Sequence, residues 1–172
     1  MWATTLLLPD VPVLMRFRGF LFGFGMMGCG KNFQVAGNVM LRGLENISVG
    51  RDVYLAPGAV ILAGKGVVLE DGVQVAFYSV LTDGNHTAKD GSYRFGLRSQ
   101  SPILIGAGTW IGAHVTVVAG VKIGRCAVIG ANSVVTREIP DGALAVGVPA
   151  SVLSERRGDK RSERGVEIPK AG

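Results

Sequence analysis

Few side chains in this sequence have an ordinary pKa within about two units of neutral pH. They are two histidines, His86 and His114, and two cysteines, Cys29 and Cys126. His86 stands where a regular pattern of residues ends and an irregular stretch begins, a place that a ligand can reach. An imidazole so placed can act as a general base. His114 reads as a partly exposed turn residue that could also help line a groove. Two histidines cannot supply a three-histidine zinc site and no Cys/His cluster compensates, so no metal is expected. A nucleophilic role for a cysteine would need an activating base beside the thiol. Neither cysteine shows one, and both read as structural.

The element that must position His86 is written in a period of six. Between Ile105 and Pro140 an aliphatic residue falls at Ile105, Ile111, Val117, Ile123, Ile129 and Val135, and four of the six precede Gly106, Gly112, Gly124 and Gly130. Six fits neither the helical period of 3.6 nor one long amphipathic strand. It describes a short strand, a turn and a repeat, with one aliphatic side chain pointing inward each time, which is a parallel β-helix. Earlier sets keep the spacing: Val35, Leu41, Ile47; then Val49, Leu55, Ile61; then Leu69, Val75, Leu81. Ala63, Gly64, Lys65 and Gly66 read as a wider corner that absorbs two extra residues. The array breaks once, over 87–104. Three hexads to a coil predict successive coils at 69–86, 105–122 and 123–140.

Composition agrees with stacked thin coils. Hydrophobic residues make up 48% of the 172, but aromatics only 7%, so the core is built from Val, Ile, Leu and Ala. The 26 glycines suit a backbone that turns often with φ > 0. Two cysteines are too few for a disulfide framework and favour a reducing, cytoplasmic setting. The net charge of +5 is spread along the chain without basic runs interleaved with aromatics, so nucleic-acid binding has little support.

At the N-terminal side, Leu14, Phe17, Leu21 and Phe24 follow helical spacing and predict a helix over 11–27, capping the open end of the solenoid. Arg16 and Arg18 on it could also meet anionic headgroups at an inner membrane surface. No secretory signal is expected, and Pro9, Asp10, Pro12, Arg16 and Arg18 interrupt the apolar stretch too often for a spanning helix. After Pro140 the pattern turns irregular. A short helix over 151–157 and a charged tail are expected. The domain reading is therefore an N-terminal cap over 1–30, a β-helix over 31–150 with 87–104 inserted, and a C-terminal helix and tail over 151–172.

Several motifs together resemble the hexapeptide-repeat acetyltransferases, and most closely the galactoside and maltose acetyltransferases and the polysaccharide O-acetyltransferases. They are the Ile-Gly array, Asn85-His86 at the break, Trp110-Ile111-Gly112, Val134 through Pro140, and Gly147-Val148-Pro149-Ala150. The likeness runs from about Glu45 to Leu153. It implies a left-handed β-helix, where right-handed crossovers would otherwise be the default. It also implies a homotrimer, with acetyl-CoA lying between subunits and a sugar or polysaccharide hydroxyl as acceptor. The same solenoid in gamma-class carbonic anhydrases uses three histidine ligands, one more than this chain has.

By that resemblance His86 is the general base. With no activated cysteine, direct transfer in a ternary complex is the simpler mechanism, and Asp83 or Asn85, just before His86, could orient its ring or meet the substrate. Ala113, Ala131 and Thr136 match positions lining the cofactor's arm, and Arg137 matches a basic residue near the nucleotide phosphates. Trp110 either covers the cofactor groove or fills a coil corner. Ser151 and Ser154 stand where galactoside-type enzymes have basic residues, which shifts that role to Arg156 or Arg157. Ala56 stands where they have a sugar-holding asparagine. The break carries Lys89, Asp90, Ser92, Tyr93, Arg94 and Arg98, with Tyr93 and Arg94 the foremost acceptor contacts. An amino sugar or an antibiotic as acceptor, or a non-catalytic scaffold, are the alternatives.

Overall fold

The structure is a computed structural model that describes residues 9–155. Strands of two or three residues stack into three parallel sheets. The first runs β1 (Gly28–Cys29), β4 (Ile47–Val49), β7 (Val67–Leu69), β12 (Ile103–Ile105), β15 (Lys122–Ile123). The second runs β2 (Gln34–Val35), β5 (Tyr54–Leu55), β8 (Gln74–Val75), β13 (Trp110–Ile111), β16 (Val128–Ile129), β18 (Ala143–Gly147). The third runs β3 (Met40–Arg42), β6 (Val60–Leu62), β9 (Val80–Thr82), β14 (Thr116–Val117), β17 (Val134–Val135). The expected coil phases hold: Leu69 pairs with Ile105 and Ile105 with Ile123.

Each hexad places two side chains inside. The aliphatic residue is one, and Val35, Leu55, Ile61, Leu69, Val75, Leu81, Ile111 and Val117 are fully enclosed. The second lies two positions earlier, where Val53, Ala59, Val73, Ser79, Thr109, Val115, Val121, Ala127 and Ser133 are also buried. The three hydroxyls in this set join neighbouring coils. Thr109 Oγ1 donates to the Gly124 carbonyl at 2.7 Å and accepts the Ala127 N–H at 3.1 Å. Ser79 Oγ does the same between Gly112 and Val115. A buried hydroxyl without such partners would be destabilising by about 1–3 kcal/mol.

One position before that, the backbone turns left-handed. Asn32, Asn38, Asp52, Gly58, Gly72, Gly108, Gly120 and Asn132 take φ from 58° to 81°, residue types that tolerate it. Tyr78, His114 and Cys126 occupy the same slot with φ between 52° and 56°. A bulky residue there costs about 1–2 kcal/mol. For Tyr78 part of this is offset by its ring, which lies across Gly58 and stacks on His114. His114 is thus the exposed turn residue expected. Cys126 is an exposed corner residue, and Cys29 an exposed one on β1 whose thiol burial pushes up.

The N-terminal helix, α1 (Pro12–Gly23), is shorter than 11–27 and turned the other way. Met15, Arg18, Gly19 and Phe22 face the first coil, while Phe17 and Phe24 point outward. Two contacts set that orientation. Arg18, 1% exposed, donates to Asp10 Oδ1 at 2.7 Å and to the Val35 carbonyl at 3.3 Å. Gly19 lies so close to Phe33 that a Cβ would overlap its carbonyl oxygen. Asp10 also accepts the Gly37 N–H at 2.7 Å, tying the segment before α1 to the first coil.

At the other end the expected helix over 151–157 is instead β19 (Ala150–Glu155), antiparallel to β18 and outermost in the second sheet. The open backbone edge of β18 governs here, because its unpaired groups are satisfied by a returning strand. Arg156 and Arg157, proposed as nucleotide contacts, and the charged tail lie outside the described residues. No helix among the described residues is long and apolar enough to cross a membrane.

Candidate active site

The wide corner between the third and first sheets builds the site. Here β9 ends at Thr82 and the chain leaves the coil. Asp83, 2% exposed, turns back on the corner of the coil before it. Its Oδ1 accepts the Gly64 N–H at 2.8 Å, and its Oδ2 accepts those of Lys65 and Gly66 at 2.6 and 2.7 Å. Both oxygens are thereby engaged with backbone. Asp83 therefore holds the corner, and the expectation that it orients the imidazole or meets substrate is corrected.

The break is more ordered than an open loop. The next three residues form β10 (Gly84–His86), antiparallel to β11 (Arg98–Gln100), with His86 opposite Arg98 and Gly84 opposite Gln100. Asn85 lies opposite Ser99 and is exposed. The regular coil resumes at Ile103, two residues inside the predicted break. Beyond His86 the Thr87 N–H and hydroxyl both donate to the Leu97 carbonyl, at 3.0 and 2.7 Å, closing the base of the loop. Tyr93, Phe95 and Leu97 stand out into solvent, and the Arg94 guanidinium lies over the Phe95 ring at 5.5 Å.

His86 opens onto a cleft of about 370 Å³. Its walls include Arg42, Glu45 and Asn46 from the first coil, Asp83 just before the break, and Arg98 and Gln100 within it. The cleft thus gathers an imidazole, two carboxylates (that of Asp83 already bound to backbone) and two guanidinium groups, a set suited to a polyhydroxylated or anionic ligand. Sequence reasoning missed Arg42, Glu45 and Asn46. The available signal was the corner itself: 42–46, 62–66 and 82–86 recur every twenty residues. Asn46 supports that corner, since its Nδ2 donates to the Ala63 and Gly64 carbonyls at 3.2 Å each.

The remaining sequence-predicted residues lie elsewhere on the prism. Thr136 and Arg137 are exposed on the His86 edge, two coils beyond it, a rise of about 9–10 Å at the usual strand spacing. Trp110 is 49% exposed on the second sheet, between Gln74 and Val128. Ala113 and Ala131 sit on the next edge in consecutive coils, where the Asn132 N–H donates to the Ala113 carbonyl at 2.9 Å. That edge also carries Tyr78 and His114. Ala56 is buried, so it offers no group to a ligand. Within a single chain, then, the proposed cofactor residues fall on two edges and, with Trp110, on the second sheet, and only one of the edges holds His86. Among the described residues no group of three or more His, Cys, Asp or Glu is placed to hold a metal ion.

Known proteins share the repeat and the fold of this chain. The family model for the bacterial transferase hexapeptide (six repeats) matches residues 102–137. The hexapeptide repeat makes the solenoid a left-handed β-helix, not the right-handed default. The galactoside O-acetyltransferase of Escherichia coli is 37% identical over 111 residues, which are 64% of this chain and 55% of that enzyme. The chain therefore spans little more than half the length of that relative. Among solved structures, a maltose O-acetyltransferase from Clostridium difficile superposes with a TM-score of 0.77 at 29% identity, over 89% of this chain and 80% of that one. A galactoside acetyltransferase in complex with coenzyme A gives 0.65 at 28% identity, over 82% and 80%.

Proposed function

We propose, taking this chain as a hexapeptide-repeat β-helix related to the galactoside and maltose O-acetyltransferases, that it moves an acetyl group from acetyl-CoA to a sugar hydroxyl. The observation that carries the reading is His86, exposed at the mouth of a polar cleft beside the coil that Asp83 fixes. The imidazole takes the proton of the acceptor hydroxyl as its oxygen attacks the thioester carbonyl. The carbon–sulfur bond then breaks and the imidazolium returns the proton to the departing thiolate. No acyl-enzyme forms, so neither cysteine takes part.

Acetyl-CoA is the donor substrate. Its arm lies along Trp110, Ala113, Ala131 and Thr136, and its nucleotide end reaches Arg137, where a guanidinium pairs well with phosphate. Because these residues occupy two edges of one chain, a homotrimer closes the groove, one chain's His86 edge facing the alanine edge of the next. The acceptor enters through the cleft of Arg42, Glu45 and Arg98, with Asn85, Tyr93 and Arg94 at its rim. A sugar within an oligosaccharide or surface polysaccharide suits that open, polar mouth.

The test is calorimetric titration with acetyl-CoA, followed by thiol release with a panel of sugars, amino sugars and hydroxylated antibiotics. Saturable binding with turnover on hydroxyl sugars supports the reading. Turnover confined to amine acceptors would replace the acceptor, and no binding at millimolar ligand would leave a scaffold.

A further inference from the structure

Helix α1 is docked inside out. A surface helix ordinarily buries its most apolar stripe and turns charge toward water. Here the buried face carries a guanidinium and a glycine, Arg18 and Gly19, alongside Met15 and Phe22. The outer face carries Val13, Phe17, Phe20 and Phe24, and Met27 continues it beyond the helix end. Their exposures are 70%, 47%, 61%, 75% and 62%. Spaced at intervals of four, three, four and three, they form one stripe, within which the Phe20 and Phe24 rings meet edge to face at 4.8 Å. The Arg18–Asp10 pair and the Gly19–Phe33 approach hold that orientation, so rotating the helix inward would break both.

The charged side chains lining the depression beside the stripe are of one sign. Phe20 and Phe24 share a depression of about 730 Å³ with Arg16 and Lys31, and no acidic side chain lines it. Arg16 is held there, its Nε donating to Asn32 Oδ1 at 2.7 Å. The sequence leading into α1 has the same character: residues 1–8 include Trp2, Leu6, Leu7 and Leu8 and no charged side chain. A second copy pairing through this face about a twofold axis would find apolar surface but would bring a second Arg16 and Lys31 against the first. An anionic lipid surface answers both features.

We propose that α1 is an interfacial membrane helix, lying in the headgroup plane of an anionic bilayer with Phe17, Phe20 and Phe24 inserted and Arg16 and Lys31 against phosphate. Its twelve residues are too few to span the hydrocarbon and enough to lie on it. The contact places the first coil, at the end of the solenoid, against the membrane. It stands apart from the reaction proposed above and does not depend on it.

Flotation of the full chain with lipid vesicles tests this. Vesicles of three parts phosphatidylcholine to one part phosphatidylglycerol should carry the protein up the gradient, less so at high salt, and pure phosphatidylcholine should carry little. Phe20→Asp with Phe24→Asp should lower partitioning roughly 100-fold. Arg16→Gln with Lys31→Gln should lower it roughly 10–30-fold on the anionic vesicles alone. All four residues are exposed, so far-UV circular dichroism and melting of the variants should match the parent. Absence of flotation with either vesicle, or equal flotation of the double Phe variant, overturns the proposal. Self-association that the double Phe variant abolishes, without flotation, also overturns it and assigns the face to a second copy.

Discussion

Asp83 and Gly66 are joined by a buried hydrogen bond of 2.7 Å across two successive coils, and the same carboxylate takes the N–H groups of Gly64 and Lys65. One side chain therefore closes a corner that is two residues too wide for the repeat. It does so three residues before His86.

Replacing it tests that role. Asp83→Ala leaves three N–H groups of the corner without their acceptor and should destabilise the chain by about 2–4 kcal/mol. Scanning calorimetry reads this as a lower Tm. An unchanged Tm would return Asp83 to the substrate role first expected of it.

Loss of the imidazole should separate chemistry from binding. His86→Ala is expected to lower turnover roughly 10²–10⁴-fold while acetyl-CoA affinity stays near that of the parent. His114→Ala, on the next edge, should leave turnover within a few-fold. Undiminished turnover in the His86 variant would remove the general base from the mechanism.

Arg137 is assigned to the nucleotide end of the donor. Arg137→Ala should raise the Kd for acetyl-CoA roughly tenfold or more and leave that for acetyl-pantetheine unaltered. Equal weakening of both would place the residue elsewhere.

Two local preferences oppose each other at Gly19. Alanine is the better helix former by about 1 kcal/mol, but its Cβ would overlap the Phe33 carbonyl. The overlap is with backbone, so it decides the sign. Gly19→Ala should lower Tm and remove hydrogen-exchange protection over 12–23, with the later coils unaffected.

The Arg51–Asp71 pair gives a pH signature. The Asp71 carboxyl is held below the usual carboxylate range by the Arg51 backbone N–H, then by its guanidinium. A lowered folded-state pKa means the unfolded chain takes up protons first as pH falls. Its stabilisation is present above the ordinary carboxylate range and is lost as pH drops toward the depressed value. The urea midpoints of the parent and Asp71→Asn should therefore differ at neutral pH and converge in acid, with only a modest gap for a pair this exposed.

The hexads, the wide corner at 63–66 and the position of His86 at the edge of the break were legible because each is a local spacing. The inward positions at Ser79, Thr109 and Ser133 were not. A hydroxyl reads as polar, and only the neighbouring coil's carbonyl explains its burial. The face of α1 was misread for the same reason: Phe17 and Phe24 look like core until Arg18 meets Asp10 and Gly19 meets Phe33. The strand Ala150–Glu155 is set by the edge of β18, to which no spacing within 151–157 refers. Arg42 and Glu45 join His86 only through a twenty-residue recurrence that the six-residue period conceals.

The excursion between Asp83 and Ile103 also bears on how such a protein can change. The chain departs and returns through the pairing of Gly84 with Gln100, and Ile103 settles beside Val67. Whatever lies between these anchors leaves the register of the stack alone. Lengthening the excursion twofold would cost only about 0.6 kcal/mol in closure entropy. Ligand preference at the cleft can thus drift, by insertion or exchange of 87–97, while the coils beneath keep their sequence.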